Sequence, residues 1–353
     1  MFAKGFTKIK KKKSKVEIFC LFVCLSSLLL SLEFSSSSFG CQEFFLILFN
    51  KLKQTPLTPE LEIAENILFH VRLPRIIVAS LCGGALGVAG VISQGLFRNS
   101  LASPSLTGSA SGATLGAVLC FYYGQAWSHT LSVPLFAISG AFVTSSLLLF
   151  LYRKSSTLSL TKLLLVGLTF STLTNALCSF VISLEDANPY KSFAIYRWLL
   201  GGFHSVEWSH LKLSFIPLIL SVVWAIKIAS RLDILCLGDD IAQSLGVELK
   251  KIKTSCLVLL SLILGIVVSI AGSVPFIGLI APHITRNLVG SHHKKLMIYT
   301  FCNSISLVLC ADMIAKKTFS HKELELGIIL SLIGSPFFLY LILRNNNLEN
   351  MRP

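Results

Sequence analysis

The chain has 353 residues, 53% of them hydrophobic and 14% charged, with a formal net charge of +14. Its mean hydropathy is +0.74, whereas a soluble domain carries about 25% charged residues. A large soluble domain is therefore excluded, and recurring apolar runs of span length indicate an all-α polytopic membrane protein.

The basic excess gathers in residues 1–16, where Lys4, Lys8, Lys10, Lys11, Lys12, Lys13 and Lys15 precede the first apolar run. Lysines there hold that end in the cytoplasm. They lack the aromatic or Arg-rich interleaving of a nucleic-acid tail, so no nucleic acid is expected. Residues 17–34 form the first run, which reads as a retained span because no small-x-small cleavage site follows it. Residues 35–71 are mixed in composition and fall outside the cytoplasm. They lead into Arg72-Leu73-Pro74-Arg75, where Pro74 suits a helix start.

Residues 76–97 carry Gly83, Gly84, Gly87 and Gly90 at close-packing spacing and end in Gln94. After Arg98 and Asn99 comes a small, polar, broken stretch through Pro104, Gly108 and Gly112 to Gly116. Such backbone at membrane depth must be buried in protein or line a cavity. Gln94, Asn99, Pro104, Gly108 and Gly112 are thus candidates for a translocation path or gate, with helix packing as the competing reading. Further runs lie at about 107–123, 131–152, 160–184, 211–229, 254–272, 276–289, 296–315 and 326–343. Arg153, Lys154 and Lys162 mark an inner loop, and Glu185 to Pro189 an outer turn. His292 and His293, among lysines, read as part of a solvated inner loop. The tally is about ten spans in a single transmembrane domain over residues 17–345, with both termini and the tail 346–353 cytoplasmic.

One polar island, residues 237–250, interrupts the second half, and Lys250, Lys251 and Lys253 place it in the cytoplasm. Asp239 and Asp240 sit where a helix would start, Ile241 and Leu245 share one face, and Gly246 suits a helix end. This reads as a helix of about two turns that something outside the membrane grips.

The chain contains no G-x-x-x-x-G-K-S/T and no H-E-x-x-H, and no nucleophile–base pair can be defended, so no enzyme is expected. The ten cysteines are mostly buried small hydrophobes and the eight histidines offer no ligand pair, so no metal site or cofactor is expected. Ionisable residues within the spans are few: Asp312, His283 and Arg286 fall near span ends. That scarcity disfavours a self-powered secondary transporter, and a channel leaves the island without a purpose. A transporter driven by another chain accounts for all three features.

Several motifs together resemble the permease subunits of bacterial ABC importers for iron–siderophores, haem and vitamin B12, the FecCD-type family. They are Arg72-Leu73-Pro74-Arg75, Gln94-Gly95-Leu96-Phe97-Arg98-Asn99, Pro104 to Gly116, Trp198-Leu199-Leu200-Gly201 and Leu237 to Val247. Pro275-Phe276-Ile277-Gly278-Leu279-Ile280-Ala281-Pro282-His283, Ala311-Asp312 and Gly334-Ser335-Pro336-Phe337-Phe338 complete the series in the family's order, over about residues 65–345. The resemblance implies a ten-span inner-membrane subunit that dimerises with a second permease copy or paralogue. It implies ABC ATPase subunits, which carry ATP and Mg, on the cytoplasmic side and an extracytoplasmic substrate-binding protein outside. Gly238, Asp239, Asp240, Ile241, Ala242, Leu245 and Gly246 then match the helix that couples to the ATPase. Arg72, Arg75 and Lys316 match residues that dock the binding protein. Two departures are Ser100, where the family has proline, and Lys316, which keeps the charge but not the guanidinium fork.

Overall fold

The computed structural model describes residues 2–33, 40–53, 55–124, 131–154, 160–184, 189–318 and 323–344. The outer turn expected at Glu185 to Asn188 and the C-terminal tail lie outside the described residues. The helices are α1 (Phe2–Glu33), α2 (Cys41–Lys53), α3 (Pro59–Asn66), α4 (Leu73–Phe97), α5 (Ser109–Tyr122), α6 (Ser132–Lys154) and α7 (Leu160–Ser183). They continue as α8 (Pro189–Leu200), α9 (Trp208–Leu235), α10 (Asp239–Ser244), α11 (Leu249–Ala271), α12 (Ile277–Val289), α13 (His293–Lys317) and α14 (Leu326–Arg344).

Among the described residues, eight helical segments are long and apolar enough to cross a membrane. The apolar runs at 107–123 and 276–289 are instead short helices of 14 and 13 residues. At about 1.5 Å per residue each reaches only about 20 Å of a hydrocarbon layer about 30 Å thick. Both follow breaks in the chain, and those breaks shape the site described below.

The helix entering at residue 72 does not begin at Pro74. α3, a π-helical stretch Ile67–Arg72 and α4 run on as one helix of 39 residues. Proline has no N–H to give, and its ring presses on the carbonyl four residues back. The wider π turn, in which the Leu73 N–H reaches back to the Leu68 carbonyl, lets the helix pass through the proline.

This continuous helix is the shaft of the fold: 89% of its most apolar window is buried, against 22% in α1 and in α7. Its glycines explain how. A Cβ at Gly84 or Gly87 would meet Phe301 or Ser304 of α13, and one at Gly90 would run into the Gly278 carbonyl of α12. In lipid no hydrophobic force drives helices together, so close backbone approach and the dispersion it allows do the work. α5 seats on α6 by the same device, with Gly112 and Gly116 against Gly140 and the Phe136 carbonyl. α11 fills the space between α4, α6 and α9.

Candidate translocation path and coupling surface

The chain breaks between α4 and the 3-10 turn Pro104–Thr107, and again at Gly272 to Phe276 between α11 and α12. Among the described residues, Arg98 and Phe276 are the non-glycine positions with left-handed backbone, at φ 50° and 63°. Each stands at one break, where an uncommon conformation ends or starts a helix. The breaks touch: a Cβ on Gly278 would press against the Pro104 ring. Beside this contact lies a cavity of 470 Å³ whose polar wall is Ser103, Ser111, Thr114, Ser171 and Asn175 and whose apolar wall includes Leu86 and Phe276.

Of the residues expected on the path, Pro104 lines this cavity. Gln94 and Asn99 line a second one, of 190 Å³, with Arg98, Asp233 and Arg286. There the Arg286 Nη2 donates to the Gln94 side-chain oxygen at 2.8 Å. Gly108 and Gly112 line neither cavity. Gly108, at φ 74°, turns the chain from the 3-10 segment into α5, and Gly112 lets α6 approach. In this conformation both glycines serve helix packing.

The polar island folds as the short helix α10 between α9 and α11. Its end is a Schellman arrangement: the Gly246 N–H donates to the Gln243 carbonyl at 2.9 Å and the Val247 N–H to the Ala242 carbonyl at 2.9 Å, with Gly246 at φ 79°. Ala242 faces inward with no exposure, while Leu237, Ile241 and Leu245 are 56%, 49% and 58% exposed. The two aspartates differ. Asp240 is exposed. Asp239 turns inward, accepting from Arg98 Nη2 and, at 2.7 Å, from Lys253 Nζ. Arg98 also donates through Nε to the Leu235 carbonyl at 2.8 Å. Burial alone would raise the Asp239 carboxyl, but the Lys253 and Arg98 cations hold it below the usual carboxylate range. Asp239 thus clamps α10 to the ends of α4 and α11, a role that Arg98 and Lys253 share and that dipole reasoning did not reveal.

At the other end of α4, the three basic residues expected to face a docking partner are buried. Arg72, Arg75 and Lys316 are 3%, 7% and 8% exposed. Arg72 Nη1 donates to the Leu32 carbonyl at 2.9 Å. Arg75 pairs with Asp312 at 2.7 Å and Glu323 at 2.9 Å, and Lys316 pairs with Asp312 at 2.7 Å. The cause is geometric: Asp312 lies one turn before Lys316 on α13 and faces Arg75 across the α4–α13 contact. The network continues through His204, held between Glu323 at 2.9 Å and Glu325 at 2.5 Å, to Arg197 on Glu325 at 3.0 Å. The His204 hydrogen bond, with help from Arg75, pulls the Glu323 carboxyl down to about 2. These four residues carry no periodic signal, and only tertiary contact reveals them. His293 also departs from expectation: it is 5% exposed and pairs with Asp233 at 2.6 Å, so it packs against α9 rather than standing in a solvated loop.

The sequence model described as the FecCD transport family matches residues 22–344. The iron-uptake system permease protein FeuC of Bacillus subtilis is 31% identical over 94% of this chain and 98% of its own. The hemin transport system permease protein HmuU of Yersinia pestis is 33% identical over 79% of this chain and 84% of its own. A solved structure of a metal-chelate type ABC transporter in an inward-facing conformation superposes with a TM-score of 0.82 at 28% identity. It covers 94% of this chain and 99% of that one.

Proposed function

This chain belongs to the FecCD transport family of ABC transporter permeases, and we propose that it carries an iron complex, a ferric siderophore first, into a bacterial cell. Members of the family are membrane permeases of ABC transporters rather than enzymes, which implies a dimeric permease powered by ATPase partners. In this reading substrate arrives on an extracytoplasmic binding protein and passes along the permease dimer. ATP binding and hydrolysis in the partner then act through α10. Gly238, Asp239, Asp240, Ile241, Ala242, Leu245 and Gly246 form the coupling element, Asp239 from within and Ile241 and Leu245 at the contact. The observation that carries the proposal is α10 itself: a six-residue helix, clamped at its base, presenting exposed apolar side chains outside the membrane-spanning body.

The uncharged wall of the larger cavity, serines, Thr114 and Asn175 beside apolar groups, suits a metal wrapped in an organic chelator. A naked cation would call for hard anionic ligands. Docking of the binding protein falls to the outer network around Arg72, Arg75 and Lys316. Because these residues are engaged within the chain, an approaching carboxylate competes with Glu323 for Arg75.

The test is uptake by the reconstituted dimer with its ATPase, using ferric siderophore, haem and cobalamin in parallel. Uptake of the siderophore alone, lost with a hydrolysis-dead ATPase, is the expected result. Undiminished uptake with the dead ATPase would overturn the mechanism, and preference for haem or cobalamin would overturn the substrate.

A further inference from the structure

The segment between α1 and α3, which the resemblance left without a role, carries a helix with three distinct sides. α2 starts beside the end of α1: the Gly40 N–H donates to Glu43 Oε2 at 2.6 Å, and a Cβ on Gly40 would touch the Glu33 carboxylate. One side of α2 is a protein contact, where Phe44 and Ile47 pack on Ala64, Leu68 and Phe69 and Lys51 pairs with Glu65. A second side is apolar and uncovered: Phe45, Leu48, Phe49 and Leu52, spaced i, i+3, i+4 and i+7, are 58%, 41%, 55% and 79% exposed. Gln42, Asn50 and Lys53 line a third edge, together with Leu46, which is 49% exposed.

Thirteen residues reach about 20 Å, too short to cross a hydrocarbon layer of about 30 Å. A short helix with such an apolar stripe and basic residues beside it has the pattern of one lying in the membrane plane. Its height agrees. α3 and the π turn beneath it are tied to the end of a span by Arg72 on the Leu32 carbonyl. They are also tied to an interfacial tryptophan, since Trp208 Nε1 donates to the Phe69 carbonyl at 2.9 Å. We propose that α2 lies flat in the outer leaflet, with Phe45, Leu48, Phe49 and Leu52 among the upper acyl chains. Lys53 then stands at the level of anionic headgroup phosphates. Lipid is the occupant because a helix at the mouth of a span already stands among headgroups, which any protein partner would have to displace. The leaflet rests on the cytoplasmic placement of the N-terminal lysines.

The test is Phe49→Trp in the full chain, reconstituted in vesicles of phosphatidylethanolamine and phosphatidylglycerol. The wild type carries the same four native tryptophans, so the difference spectrum isolates the new indole. Brominated acyl chains are expected to cut that emission by about twofold or more, while aqueous iodide leaves it nearly intact. Quenching by iodide but not by bromolipid would overturn the proposal in favour of a water-exposed face. Protection from both would overturn it in favour of a protein contact. Leu52→Trp, at the most exposed position of the stripe, repeats the measurement should the first variant fail to insert.

Discussion

Replacing Asp239 by alanine tests the clamp directly. The substitution removes both the acceptor of Arg98 Nη2 and that of Lys253 Nζ. The Lys253 side chain is 5% exposed, so its ammonium is left in a poorly solvated place. Breaking one partner of a fully buried pair costs about 3–5 kcal/mol. The Asp239 side chain is 41% exposed, and solvent screening lowers the figure to about 1–3 kcal/mol. A six-residue helix has almost no stability of its own, so the loss falls on the attachment of α10. About 2 kcal/mol raises the detached population about 30-fold. Hydrogen exchange read by mass spectrometry should show the amides of Ala242, Leu245, Gly246 and Val247, all bonded within α10 and its cap, exchanging faster by that order. The α4 and α11 interiors should be unchanged, and substrate-stimulated ATP hydrolysis by the partner should fall. Unchanged protection with normal stimulation would refute the clamp. The pH dependence has a definite sign. The folded carboxyl is depressed below its ordinary 3.8, so the clamp is fully present above that value and weakens as pH falls beneath it. The difference between wild type and variant should therefore be flat near neutral pH.

Changing Ile241 and Leu245 together to aspartate, both exposed, should leave thermal stability within about 0.5 kcal/mol while co-purification of the ATPase is lost. Retained co-purification would move the contact elsewhere. Gly90→Ala places a Cβ into the Gly278 carbonyl and should cost about 1–3 kcal/mol by overpacking, read as a lower unfolding temperature in detergent. Gly246→Ala meets nothing within 4 Å but must hold φ 79°, costing about 1–2 kcal/mol confined to the α10 cap. Asp312→Ala removes the carboxylate that Lys316 pairs with, while Arg75 keeps Glu323, and should cost about 3–5 kcal/mol. Rescue of the inserted fraction by changing Lys316 to methionine as well would confirm that the stranded charge is the cause.

Different physics made different parts legible. Apolar run length gave eight of the ten expected spans because the bilayer imposes it, while the runs at 107–123 and 276–289 fold as shorter helices. Gly83, Gly84, Gly87 and Gly90 gave close packing because only a missing side chain allows it. The polar island was visible because hydrophilic residues between spans must leave the membrane. The ion pairs were not visible. Asp239 and Asp240 are adjacent and chemically identical, and only the fold turns one toward Arg98, 141 residues away, and the other to water. The placement of Gly108 and Gly112 was hidden for a related reason. A broken small-residue stretch does line a cavity, through Pro104 and Ser111, but the register decides which residues face it and which pack on α6, as Gly112 does, or on α7, as Gly108 does.

Both charge clusters meet on α4. Arg75 near its outer end is tied to α13 through Asp312, and Arg98 at its inner end is tied to α10 through Asp239. Between them the glycines seat α4 on α12 backbone to backbone at Gly90 and Gly278, and directly against Phe301 and Ser304 of α13. α12 in turn begins at the break that bounds the larger cavity. If α10 couples to the ATPase as proposed, its shift would pull on the shaft beside the larger cavity, whereas bulky side chains in place of those glycines would let the helices slide past one another. On the proposed coupling role, the glycine pattern and the aspartate clamp are two parts of one mechanical requirement: a rigid rod, fastened at the end where force would arrive.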